Sequence, residues 1–190
     1  MELSFMCAKI ILTKEDVIAF WFDEISPEAW FKKDVEFDEM LKDRAGAIVK
    51  KALNGQLDSW SKSADGAVGL VIVLDQFTRN IFRNTPRAFS GDEMALVISL
   101  KAIDSDWFAN LSIGFKHFLL MPLMHSEDIA VQDKSLPLFK LHTNELSYKY
   151  ATKHRNIISK FGRFPHRNLL LGRPSTEEEL AFLAQPGSSF

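Results

Sequence analysis

Apolar residues recur along this chain at three- and four-residue intervals, punctuated by helix-start signals, and hairpin signals are missing. In TKEDVIAFWF, Thr13 and Asp16 form a capping-box pair ahead of Val17, Phe20 and Trp21 at helical spacing. Ser26 with Pro27, Ser90 with Glu93, and Ser175 with Glu178 mark further starts, and Phe89 and Met94 flank the second where a hydrophobic staple belongs. The longest apolar stretch, AVGLVIVLDQFTRNIF, is rich in β-branched residues but too long for one strand. Within it Leu70, Val73, Leu74, Phe77 and Ile81 share one helical face. Gln76, Arg79, Asn80 and Arg83 recur on another, with Asp75 four residues before Arg79. This helix is expected to be buried all round at first and polar late.

Later helices are expected over about 91–103, 106–121, 127–136, 144–161 and 177–184, with breaks at Asn84–Pro86, Met121–Pro122, Pro137, Gly162 and Gly172–Pro174. No polar linker divides the chain. The predicted fold class is all-α: a single-domain helical bundle or short α-α superhelix over residues 1–190, with 1–12 as a mobile N-terminal extension. No repeat is visible at the ~34-residue spacing of tetratricopeptides.

Composition narrows the function classes. At 190 residues and 46% hydrophobic, the chain can bury one sizeable core, and its 25% charged fraction has no low-complexity block that would favour disorder. A net charge of −2 makes nucleic acid an unlikely partner. The lone Cys7 can form neither an internal disulfide nor a cysteine-based zinc site, which fits a reducing compartment. The start MELSFMCAKIIL lacks a basic leader, and nothing approaches the ~18 apolar residues of a membrane span. The expectation is a cytoplasmic protein with no membrane partner.

Charge is uneven. From Glu145 to Glu177 there is no acid, although the density of 25 acids in 190 residues would put about four in those 31 intervening positions. Lys149, Lys153, Arg155, Lys160, Arg163, Arg167 and Arg173 all lie there. Lys149, Lys153 and Lys160 read as solvated cations near a helix end. Arg163 and Arg167 bracket Phe164-Pro165-His166 after a helix-ending glycine, where guanidinium groups held near aromatics can grip a carboxylate or phosphate bidentately. His154 is in line with Tyr150, Ile157 and Phe161 and faces inward, which a carbonyl-bonded core histidine would explain. Ser126 reads as the N-cap of the next helix with Glu127 and Asp128 in its first turn, but capping leaves His125 unexplained.

A two-histidine, one-carboxylate iron site from His125, Glu127 and His154 or His166 is the weaker reading, because its ligands are assembled across the chain. No stoichiometric metal and no cofactor is expected. The deaminase use of H-x-E lacks its P-C-x-x-C partner, and glycine-rich phosphate loops, G-x-S-x-G and H-E-x-x-H are absent. The methionines, phenylalanines and tryptophans read as core.

Taken together, LVIVLDQFTRNIFR, AFSGDEMAL, MPLMHSED and KFGRFPHRNLLLGRPSTEEELAFL resemble bacterial domain-of-unknown-function family 924, over Phe20 to Phe190. The resemblance implies an all-helical, tetratricopeptide-like fold and no established reaction. Thr78 stands where the family usually has proline, and Leu120 where tyrosine is common. Family motifs fall on Asp75-Gln76-Phe77, Arg79-Asn80, His125-Ser126-Glu127 and Arg163 to Asn168.

The leading expectation is that these groups converge on one concave pocket for a small anionic molecule. Arg79, Arg163 and Arg167 would bind its charge; Asp75, Gln76, Asn80 and Asn168 would line and orient it. His125, Glu127, His154 and His166 would supply any acid-base chemistry. The rival is a tetratricopeptide-like scaffold that binds a protein segment; RNA contact through residues 149–173 is weaker.

Overall fold

A computed structural model describes residues 10–188. Among them the chain is all-α: α1 (Lys14–Ala19), α2 (Val35–Leu53), α3 (Ala64–Val71), α4 (Thr78–Ile81), α5 (Asp92–Ile103), α6 (Ile113–His125), α7 (Ile129–His142), α8 (Glu145–Phe161) and α9 (Glu177–Leu183). Most of the expected N-terminal extension, residues 1–9, lies outside the described residues. Ile11 is buried and its N–H donates to the Arg44 carbonyl at 2.9 Å.

The long apolar stretch forms the central rod. α3 and α4 are two ends of one helix, joined by a π turn over Ile72–Phe77, and every residue from Gly66 to Thr78 is buried. α1, α2, α5 and α6 pack around it. Trp21 lies 5.6 Å from both Phe77 and Phe118, ring centre to ring centre, and each fully buried phenylalanine contributes about 1.5–3 kcal/mol. A π turn bonds i to i+5 and shifts the backbone ladder by one residue. Side chains take up the displaced carbonyls: Thr78 Oγ1 donates to Leu74 O at 2.7 Å, and Asn80 Nδ2 donates to Gln76 O at 2.9 Å. Thr78 thus supplies a donor that the proline expected by resemblance would lack.

Two expected breaks are absent. Pro122 and Pro137 sit inside α6 and α7, which continue to His125 and His142. A proline costs a helix one donor and crowds the carbonyl four residues back. At Pro122 burial outweighs that, since the residues from Phe118 to Met124 are all buried, whereas Pro137 lies on the exposed side of α7. The true break is Ser126–Asp128. Ser126 caps the end of α6, and Asp128, not Ser126, caps α7 by accepting the Ala130 N–H at 2.7 Å. Glu127 is therefore free of helix-capping duty. The segment after Asp106 forms a 3₁₀ turn over Phe108–Asn110, and α6 starts later behind Ser112, which accepts the Phe115 N–H.

The Ser90–Glu93 box does not form either. Ser90 Oγ donates to Arg87 O at 2.7 Å, and Gly91 is the N-cap of α5. Gly91 rests on the π turn so closely that a Cβ there would lie 2.2 Å from Leu74 O. This approach carries the next residue, Asp92, to the side of Arg79. Gly91→Ala should destabilise the fold by about 2 kcal/mol, read by urea denaturation. A loss below ~0.5 kcal/mol would show that α5 backs away freely.

Candidate functional site

The π turn buries an acid. The Asp75 side chain is 1% exposed and its Oδ1 is shared by two partners, His125 Nδ1 at 2.6 Å and Arg79 Nη2 at 3.2 Å. Gln76 Nε2 donates to the other oxygen. Burial pushes the Asp75 carboxyl up, but the Arg79 charge and the hydrogen bonds from His125 and Gln76 outweigh it and hold the group below the usual carboxylate range. An ionised acceptor requires Nδ1 of His125 to carry its proton. Burial, with Arg79, pushes the His125 imidazole below its ordinary value against the pull of Asp75. Nε2 is then the lone-pair nitrogen, and it makes no hydrogen bond among the described residues. The side chain keeps 11% exposure.

A second acid links this centre to the C-terminal segment. Asp92 accepts from Arg79 Nη2 at 2.8 Å and from Arg167 Nη1 at 3.1 Å, and Arg167 Nη2 donates to the His125 carbonyl at 3.0 Å. The Arg167 guanidinium lies between two rings, 4.7 Å from the centre of Phe89 and 4.6 Å from that of Phe164. Burial and the Arg79 charge push Arg167 down to about 10, so it stays cationic at neutral pH. Nε of Arg79 and of Arg167 are both buried without an acceptor.

The remaining motif residues turn elsewhere. Arg163 forks onto Glu179 at 2.7 and 2.8 Å and reaches the Pro174 carbonyl. That hydrogen bond is the main reason the Glu179 carboxyl is held down to about 2. Arg173 forks onto Glu127 at 2.7 and 3.0 Å, and Glu127 also accepts the Phe164 N–H at 2.8 Å. Asn168 donates to Ser175 and Glu179 and accepts from Arg173. These groups pin the loop after α8 to α9 and to the α6–α7 turn. Asn80 faces the other way, accepting from Arg83, which forks onto Asp38 of α2.

Two further histidines border the centre. The His154 ring lies 6.1 Å from that of His125, and its Nδ1–H donates to the Tyr150 carbonyl at 2.8 Å. His166 lies beyond Phe164, their rings 5.6 Å apart. Asp75, Gln76, Arg79, His125 and Arg167 are therefore brought together, with His154 and His166 alongside; Asn80, Glu127, Arg163 and Asn168 are not. Among the described residues no group of three or more His, Cys, Asp or Glu side chains is placed to hold a metal ion.

The profile of a family of bacterial proteins of unknown function, domain-of-unknown-function family 924, matches residues 17–187. The chain belongs to that family. A solved structure of a protein of unknown function from Agrobacterium tumefaciens is similar to it, with 35% identity, a TM-score of 0.85, and coverage of 90% of this chain and 96% of that one. No protein with a curated description matches. In this family 924 chain, sequence reasoning missed Asp92, Glu179, Arg173 and Phe89 as members of the charged networks. The signal was present: a run of cations without acids needs partners from outside the run, and Asp92, Glu127 and Glu179 supply them.

Buried neutral histidines set an acid limit. Burial pushes His117 down to about 4 and His154 and His166 to about 3, from an ordinary value of 6.5. Unfolding lets each bind a proton below 6.5 that the fold refuses, so their contribution is complete above that pH and is lost as pH falls from 6.5 toward 3. Urea denaturation should show stability dropping by up to ~1.4 kcal/mol per pH unit for each such group. His154→Phe should flatten the slope; a profile level from about pH 7 to 5 would contradict the neutral assignment. Separately, Arg167→Ala should cost about 3 kcal/mol by leaving its polar partners poorly matched. A change under ~0.5 kcal/mol would make Arg167 an ordinary surface residue.

Proposed function

We infer that the chain binds a small carboxylate- or phosphate-bearing molecule at the exposed edge of Arg79 and His125, with His125 Nε2 as proton acceptor. The observation that carries this reading is the sharing of Asp75 Oδ1 by His125 and Arg79. One buried carboxylate fixes the tautomer of the imidazole and holds a guanidinium beside it, the arrangement a general base needs next to an anchor for negative charge. Arg79 uses only Nη2 within the protein and is 21% exposed, so Nη1 remains available to an acidic group. Arg167 and Asp92 would act from behind, holding Arg79 and the His125 carbonyl in place.

The charges of Asp75, Asp92, Arg79 and Arg167 balance, so a ligand would be held by directed hydrogen bonds more than by net positive potential. Short connections between α6, α7 and α8 support calling the architecture tetratricopeptide-like. The lone Cys7 supports a cytoplasmic location, and no helix among the described residues is long and apolar enough to cross a membrane.

A thermal-shift screen of phosphate, sulfate and small carboxylates tests the reading. At 100 times its Kd, a binding anion should stabilise the wild type by about 2.7 kcal/mol. Arg79→Gln should abolish that response, and His125→Gln should remove any dependence of binding on pH near neutrality. If no anion stabilises the wild type, or Arg79→Gln responds equally, the network serves the fold alone.

A further inference from the structure

Away from this centre, two depressions open along the solvent side of α8 and share Lys153. One of about 100 Å³ is lined by Leu146, Lys149, Tyr150 and Lys153. The next, about 420 Å³, lies between α8 and the C-terminal segment and is lined in part by Ile157, Phe161 and Phe182. From Leu146 to Phe161 the trough follows α8 for about 22 Å. Along it apolar side chains alternate with lysines and stand uncovered: Leu146 is 61% exposed and Tyr150 43%. Its rim is basic, because Lys149 and Lys153 pair with no carboxylate among the described residues. Lys160 differs, being bound to Glu178 at 2.9 Å.

We propose that this trough docks an acidic amphipathic helix of a partner protein, with apolar side chains in the two depressions and carboxylates on Lys149 and Lys153. Successive anchors one helical turn apart match apolar side chains interleaved with cations. Charge complementarity selects the occupant. RNA fits less well: the one exposed ring along it, Tyr150, already carries Lys153 Nζ 5.4 Å from its centre, and the chain as a whole is at −2. A lipid surface fits less well, because anionic headgroups are held by clusters of about four or more cations and this face offers two unpaired lysines, Lys149 and Lys153. A second copy would bring the same lysines against themselves if the contact were two-fold symmetric.

Fluorescence anisotropy with the full chain tests this. The probes are a labelled synthetic helix with leucines on one face and flanking glutamates, its lysine-flanked counterpart, oligouridylate RNA and phosphatidylserine vesicles. The glutamate helix alone should bind, more tightly at low salt. The double variant K149E/K153E, which alters only exposed positions, should weaken it by at least about tenfold and favour the lysine helix. Absence of glutamate-helix binding up to ~1 mM would overturn the proposal. So would equal affinity for the double variant, or binding of RNA or vesicles in place of the peptide. A concentration-dependent dimer lost in K149E/K153E would assign the trough to a second copy and also overturn it.

Discussion

A carboxylate with almost no exposed surface must be matched by protein groups, and Asp75 draws its partners from separate parts of the chain. Gln76 and Arg79 come from its own helix, His125 from the end of α6. Arg79 then brings in Asp92 at the start of α5, and Asp92 brings in Arg167 from beyond α8. Each member is costly to bury alone and tolerable in company. The position of α5 follows from this: Gly91 must touch the π turn for Asp92 to reach Arg79. So does the course of the segment after α8, whose Arg167 closes the network against the His125 carbonyl.

The same logic explains why that arginine-rich segment is held in place with no more regular structure than one 3₁₀ turn, Pro165–Arg167. Arg163 and Arg173 each fork onto one glutamate, and Asn168 joins the two pairs. Bidentate pairs fix planes as well as distances. Phe164 is thereby held under the loop and stacked on Arg167, so the ring covering the charged centre is positioned by ion pairs lying outside it. Anything that disturbs Glu127 or Glu179 acts on His125 through Phe164 and Arg167 rather than by contact.

Periodicity made the helical class and the central rod legible, because burial on all faces writes an unbroken apolar run into residues 67–74. α8 and α9 were legible to within a residue from Gly162 and the acidic start after Pro174. Propensity failed at Pro122, where packing overrode a local rule, at Pro137, which α7 carries on its exposed side, and at Ser126, whose hydroxyl serves a turn instead of a helix start. Thr176 and Glu179 form the last capping box, one residue beyond the expected pair. That shift has weight, since it places buried Glu179 in reach of Arg163. His125, Arg79 and Arg167 stood out as polar groups in apolar company. Asp92 did not, because an acid in the first turn of a helix has an ordinary explanation already.

Arg167 and Asp92 are 75 residues apart in sequence. On a ribosome the rod and α5 are made before Arg167, and until it arrives Arg79 alone can serve both Asp75 and Asp92. During that interval Asp92 stays accessible to water, which makes an unfinished chain tolerable. Docking of the segment after α8 brings Arg167 onto Asp92 and the His125 carbonyl, with loop closure as its chief entropic cost. The polar centre therefore cannot become fully protein-lined until the segment after α8 has been made and has docked.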